Sequence, residues 1–361
     1  DARWRLLEHN RSNPLDVREG VVELLEEIGA ADRRVTQDYE DRFAIELLQN
    51  AHDACHDHDG MVGRAWFALS GSALLVGNQG APFDASRIKA LTRLGVTSKG
   101  KSAGRRHVIG YKGVGFSSVF SVTDRPQILS TTVNFGFDKK RARDAVEAAM
   151  GIRPSALSAR SIPFRLTQAA WAEDWDLAQA MITNGAVPVI RLPWKPRLDV
   201  DRVKDVVSRS LAPESLLFMP HLDGLSVDLD GTPSEWHRRD GSSVGDARVV
   251  HLENSQGPTE SWIVRDDTAK APPEVASLDD EIWQSVTELN VSVALPWKGK
   301  TVDPARGPQR LHVYFPTDDQ TGRSVLIHGD FYVHSSRRSI QDRGAGGAVS
   351  RAVAEKAADL V

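Results

Sequence analysis

Glu46, Asn50 and Asp53 stand at i, i+4 and i+7 in the run Glu46-Leu-Leu-Gln-Asn50-Ala-His-Asp53-Ala54, so on a helix they share one face. That face would carry an acid, an amide and a second acid within an otherwise apolar segment. Burying such groups is costly unless each is satisfied. A magnesium–triphosphate would satisfy them. An amide oxygen suits a hard cation, and a carboxylate can orient water for attack on a terminal phosphate. A solvated polar stripe on an amphipathic helix fits the same spacing, so this motif alone leaves both readings open.

Two later motifs tip the balance. Asn78-Gln-Gly80-Ala-Pro-Phe83 directly follows a strand-like run, and Gly80 would let the backbone approach a flat ligand closely. Ile109-Gly110-Tyr-Lys112-Gly113-Val114-Gly115-Phe116-Ser117-Ser118 sets three glycines before an expected helix start. Backbone N–H groups at the positive end of a helix dipole make an anion cradle. Lys112 would add charge, and the Ser117 and Ser118 hydroxyls would donate hydrogen bonds. A glycine-rich turn by itself is weak evidence. The three motifs in this order point to a nucleotide pocket.

The elements needed to hold these residues are legible in the pattern. Val17, Val21, Val22, Leu24, Leu25 and Ile28 are spaced like one helix face over 15–30, and 38–58 reads as a second helix that Gly60 stops. Runs 64–70 and 73–78, split by Gly71-Ser72, read as a hairpin. A short helix is expected over 85–94, a loop over 95–108, and strands over 126–133 and 187–192. Pro193-Trp194-Lys195-Pro196 would end regular structure. Beyond it the pattern predicts a helix near 200–211, strands at 215–219, 224–229, 247–252, 261–265, 291–295, 310–315 and 325–333, and a helix over 348–360. The fold class expected is α+β, with two domains, 1–195 and 196–361, the second built on an antiparallel sheet.

Composition adds bounds. The 361 residues carry a net charge of -4 with 40% apolar and 26% charged residues, an ordinary globular balance. No charge surplus points to nucleic acid or an anionic membrane, although a local basic patch would still bind either. The single cysteine, Cys55, rules out an internal disulfide framework and suits a reducing cytoplasmic setting. No apolar run approaches the roughly 18–20 residues of a membrane span, and no signal peptide opens the chain. A first residue other than Met and a helical run up to Val361 suggest a piece of a longer protein.

The Glu46–Ala54 run resembles the N-box of Hsp90-type ATPases in the GHKL (gyrase, Hsp90, histidine kinase, MutL) superfamily. Asn78–Phe83, Thr97-Ser98-Lys99 and Ile109–Phe120 are similar to the sacsin and NO VEIN group of that superfamily. So are Gly329–Tyr332 and the stretch Ser335–Ile340 near the end. The resemblance covers 35–195 best. It implies a Bergerat-fold α/β sandwich for the first domain, with residues 84–108 as a lid closing over ATP. Glu46 would be the general base, Asn50 would hold Mg²⁺, and Asp53 would line the base and ribose side, with Asn78 and Gly80 beside it. Ser98 and Lys99 of the lid would touch phosphate. Lys112, Gly113, Val114, Gly115 and Phe116 would cradle the phosphates. Arg337 or Arg338 would stabilise charge at the terminal phosphate, with Lys298 and Lys300 as rivals.

The implied function is slow Mg-ATP hydrolysis driving a conformational switch in a larger chaperone-like or anti-phage defence protein, with other subunits or a second copy as partners. A DNA-processing clamp of the MutL or type II topoisomerase kind, and a nucleotide-binding scaffold without turnover, are the alternatives. The sequence departs from the superfamily twice. Asn78 stands where an Asp usually accepts from the adenine amino group, and Pro188 where many relatives carry a Thr. Two other patterns are set aside. Gly95–Ser102 matches the Walker A spacing but lacks the preceding strand. His52, Cys55, His56 and His58 crowd one helix end without a cysteine partner elsewhere.

Overall fold

Residues 14–38, 40–92, 115–303, 307, 309–334 and 339–361 are described in the computed structural model of the chain, and they form a mixed α+β fold. The helices are α1 (Pro14–Asp38), α2 (Phe43–Asp57), α3 (Ala85–Leu91), α4 (Lys139–Met150), α5 (Trp175–Thr183), α6 (Val200–Ser210), α7 (Glu281–Gln284) and α8 (Gly344–Leu360). The strands of the first half are β1 (Gly63–Leu69), β2 (Ala73–Asn78), β3 (Gln127–Ser130), β4 (Phe135–Gly136), β5 (Phe164–Arg165) and β6 (Pro188–Pro193). Those of the second half are β7 (Leu222–Asp228), β8 (Ser234–Val244), β9 (Ala247–Asn254), β10 (Glu260–Lys270), β11 (Glu288–Pro296), β12 (Arg310–Val313), β13 (Phe315–Gln320) and β14 (Leu326–Gly329).

All fourteen described strands join one sheet in the order β13-β12-β14-β11-β10-β9-β8-β7-β1-β2-β6-β3-β4-β5. Its pairs are antiparallel except β1 with β7 and β12 with β14. The parallel β1–β7 pair carries the sheet from the first half of the chain into the second. One apolar core spans both halves, with Phe67, Leu74 and Ile190 from the first and Leu225, Trp262 and Leu326 from the second. Helix α2 contributes Leu47, Leu48 and Ala51 to that core, and α6 contributes Val203, Val206 and Val207. Met181 of α5 packs with Leu75 and Val189, so β2 is covered on both faces and all six of its residues are buried. Helix α8 lays Val349, Val353 and Ala357 on Leu289, Val291 and Val293 of β11. No helix among the described residues is long and apolar enough to cross a membrane.

Several elements differ from the sequence pattern, each for a local reason. Helix α1 forms, but Val17, Val21 and Leu24 are exposed, and the buried positions are Val22, Gly29 and Asp32. Gly29 sets that face: a Cβ there would lie 2.7 Å from the backbone N of Leu157. The second helix starts at Phe43, after a 3-10 turn over Glu40–Arg42, because Asp38 still belongs to α1. Residues 213–218, apolar enough for a strand, form a 3-10 helix led by Pro213. Arg238 Nη1 donates to the carbonyls of Leu216 (3.2 Å) and Met219 (2.8 Å), and Arg248 Nη2 to that of Leu217 (3.1 Å), which holds the turn against β8 and β9. Strand β8 is absent from the pattern because none of its residues is buried, so apolar alternation never marks it. The run 310–315 breaks into β12 and β13 at Tyr314, whose φ of 63 turns the chain.

Candidate functional site

Helix α2 is amphipathic in an unusual sense. Its apolar residues are buried, and so is much of its polar face: Glu46 is 4% and Asp53 1% exposed, with Asn50 part-exposed between them. The three are brought together as the i, i+4, i+7 spacing requires. The guanidinium of Arg42, also buried, places Nε 3.8 Å from Glu46 Oε1 and brings a positive charge to that carboxylate.

Gly115 closes the other side of Glu46. A Cβ at position 115 would stand 3.1 Å from Glu46 Cδ and nearer still to Oε2, so only glycine lets the two segments meet undisturbed. Gly115 opens a 3-10 helix, Gly115–Ser121, rather than an α-helix. Phe116 is buried in the core. Ser117 Oγ donates to Asp32 Oδ1 at 2.9 Å, and Ser118 Oγ donates to the Gly115 carbonyl at 2.6 Å. Both hydroxyls are thus engaged within the protein, where the sequence pattern offers them to a phosphate.

The Asn78–Phe83 turn docks on the far end of the same face. Asn78 is buried at the end of β2, its Nδ2 donates to the Gln79 carbonyl at 2.7 Å, and its own carbonyl accepts from Val187 N at 2.9 Å. Gly80 has φ +115, and a Cβ there would lie 2.5 Å from the carbonyl carbon of Ala54. That close approach lets Ala81 N donate to Ala54 O at 2.9 Å, one residue past Asp53. Phe83 N donates to Ser130 Oγ at 3.0 Å, which ties the turn to β3, and Pro188 is the register partner of Ser130.

Glu46, Asn50, Asp53, Asn78, Gly80, Gly115 and Phe116 thus fall on α2 and two segments that touch or flank it. Ser98, Lys99, Lys112, Gly113, Val114, Arg337 and Arg338 lie outside the described residues, as do most of the expected lid and the Walker-like run. Lys298 sits in the turn after β11, paired with Asp303 Oδ2 at 3.0 Å. Among the described residues no group of three or more His, Cys, Asp or Glu side chains could hold a metal ion. Cys55 donates its thiol to the Gln79 carbonyl at 3.2 Å, and burial pushes its pKa up to about 12.

Sequence reasoning missed the residues that brace this face. Asp32, Arg42 and Arg160 are charged yet buried. For Asp32 a signal existed, since it continues the Val22–Gly29 stripe of α1. His221, from the second half, reaches α2 behind Asp53. Its Nε2 is 3.0 Å from His56 Nδ1, its ring centroid is 5.1 Å from that of His52, and His52 Nδ1 is 3.1 Å from Asp53 Oδ1. Nothing in the run Phe218-Met219-Pro220-His221-Leu222-Asp223 marks it in advance.

Residues 26–153, which hold α2, the Asn78 turn and Gly115, match the family model of the Sacsin domain. The chain is sacsin- and NO VEIN-like. It is 26% identical over 315 residues to Protein NO VEIN of Arabidopsis thaliana, a match covering 83% of this chain and 10% of that protein. It is 36% identical over 97 residues to Sacsin of Homo sapiens, covering 24% of this chain and 2% of that protein. The chain therefore spans about a tenth or less of the curated relatives it matches. The higher identity falls on the shorter match, and the longer match extends the likeness over most of the chain.

Proposed function

We propose that this chain is a Bergerat-fold nucleotide module that binds Mg-ATP and hydrolyses it slowly. The observation that carries the reading is the close approach of Gly115 to Glu46, a buried carboxylate on the helix that also bears Asn50 and Asp53. In this arrangement Asn50 would offer its amide oxygen to Mg²⁺, and Glu46 would take a proton from the water that attacks the terminal phosphate. Asn78 has its amide nitrogen engaged by Gln79, so its side-chain carbonyl is the end offered to an adenine amino group. Asp53, buried beside the same turn, serves the base and ribose side. The bound metal would neutralise charge building on the phosphates.

Within a larger protein, the cycle would act as a conformational switch. The β1–β7 pair and the His221 contact with α2 give a route by which a change at the pocket reaches the second half. A chaperone-like or defence role rests on likeness alone. Steady-state phosphate release tests the catalytic assignment. Glu46→Ala should reduce it about a hundredfold or more while nucleotide still binds. Normal turnover in Glu46→Ala would sink the role of Glu46 and leave the pocket standing.

A further inference from the structure

The buried carboxylate of Asp32 belongs to none of the expected ligand contacts, yet it joins three separate segments. Its Oδ1 accepts from Ser117 Oγ at 2.9 Å and faces Arg160 Nη2 at 3.1 Å; its Oδ2 accepts from Ser158 Oγ at 2.7 Å. One turn further on, Thr36 Oγ1 lies 2.9 Å from the Asp32 carbonyl and 3.3 Å from that of Ser117. Asp32, Ser117, Ser158 and Arg160 are all buried. A buried carboxylate is tolerated only when paired and hydrogen-bonded, and here those partners lie on the 3-10 turn 115–121 and the segment 158–160. Helix α1 is pinned beside them: Glu26 Oε1 accepts from Ser155 N at 2.6 Å, and Gly29 abuts the backbone of residues 156–157.

Ser117 is two residues from Gly115, and Gly115 touches Glu46. We propose that Asp32 is a positioning residue: through Ser117 it fixes the turn that holds Gly115 against the Glu46 carboxylate, so that α1 controls how well that site is assembled. The catalytic half of this inference rests on the Mg-ATP reading above; the mechanical half does not. If α1 shifts, the Ser117 hydroxyl must follow it or lose the Asp32 acceptor, and the Gly115–Glu46 contact moves with it.

Two single-hydroxyl deletions separate positioning from general stability. Ser117→Ala and Ser158→Ala each remove one hydrogen bond to the Asp32 carboxylate, but only the first cuts the carboxylate's tie to the 115–121 turn; the Thr36 contact with the Ser117 carbonyl stays in both. In the 361-residue chain, Ser117→Ala should lower kcat for phosphate release about tenfold with the nucleotide Kd within about threefold. Ser158→Ala should leave kcat within about twofold at a similar loss of thermal stability. In the nucleotide-free protein, amide hydrogen exchange over 115–121 should rise in Ser117→Ala and stay at the wild-type level in Ser158→Ala. Equal exchange in the two variants, or equal kcat, would overturn the proposal. A wild-type chain that neither binds nor turns over ATP would instead defeat the Mg-ATP reading, while the exchange comparison still decides whether Asp32 fixes the turn.

Discussion

Replacing Gly115 with alanine adds one methyl group at the point where the backbone of Gly115 approaches Glu46. The new Cβ would stand 3.1 Å from Glu46 Cδ. Ordinary carbon–carbon contact needs about 3.5–4.0 Å and Oε2 stands nearer still, so the carboxyl group must retreat by about 1 Å. The obstructing atoms are the tip of a flexible side chain, and an off-rotamer Glu46 costs only about 0.5–1.5 kcal/mol. A general base displaced by about 1 Å, however, loses on the order of a hundredfold in rate. Gly115→Ala is therefore expected to uncouple stability from turnover, with a melting temperature lowered by no more than about 5 °C. Phosphate release at saturating Mg-ATP should fall about a hundredfold, with nucleotide affinity within about threefold. The assay is steady-state phosphate release run beside calorimetric binding and a thermal melt, with Glu46→Gln as the reference for a disabled base. Turnover within twofold of wild type would refute the reasoning, because the methyl group would then have left the carboxylate where it works.

Other consequences concern stability. Gly80→Ala meets backbone rather than a mobile tip, since its Cβ would sit 2.5 Å from the Ala54 carbonyl carbon at φ +115; denaturant unfolding should show a loss of about 2–4 kcal/mol, combining overpacking and left-handed strain. Asp174 is buried against Arg191 and also accepts from Ser72 Oγ at 2.7 Å; because Arg191 keeps Gln127 Oε1 at 3.1 Å and Ser72 Oγ at 2.9 Å, Asp174→Ala should cost about 1.5–3 kcal/mol in the same measurement, the loss of a charged hydrogen bond. Burial holds His312 at a pKa of about 3, with repulsion from His328 adding to it, and burial holds His328 at about 4. Both are neutral in the folded chain while the unfolded chain takes up protons below about pH 6.5. Stability is then complete above that pH and falls as pH drops, by up to about 1.4 kcal/mol per unit for each histidine until about pH 4. His312→Phe should make the unfolding free energy fall less steeply between pH 6.5 and 5; an unchanged slope would contradict the assignment.

What could be read in advance follows from which residues advertise their surroundings. Helix α2 was legible because Phe43, Leu47, Leu48 and Ala51 recur at helical spacing and are in fact core. The same periodicity exposed Glu46, Asn50 and Asp53 as a polar face. Strand β2 was legible as an unbroken apolar run lying between two layers. Strand β8 was not, because its pairing with β7 and β9 is a backbone matter that its exposed polar side chains do not signal. Leu216-Leu217-Phe218 suits a strand or a buried turn equally well, and only the guanidinium donors of Arg238 and Arg248, distant in sequence, decide for the turn. On α1 the larger apolar residues misled, since Gly29 allows a closer approach than any valine and so chooses the buried face. The Ser117–Asp32 hydrogen bond is invisible in the sequence because the two residues lie 85 positions apart.

The most direct measurement is calorimetric titration of the chain with ATP, with and without Mg²⁺, in wild type and Asn50→Ala. A single saturable site that needs the metal and weakens at least about tenfold in Asn50→Ala is the predicted result. Absence of nucleotide uptake by the wild-type chain, or uptake that Asn50→Ala leaves intact, would contradict a pocket built on the polar face of α2.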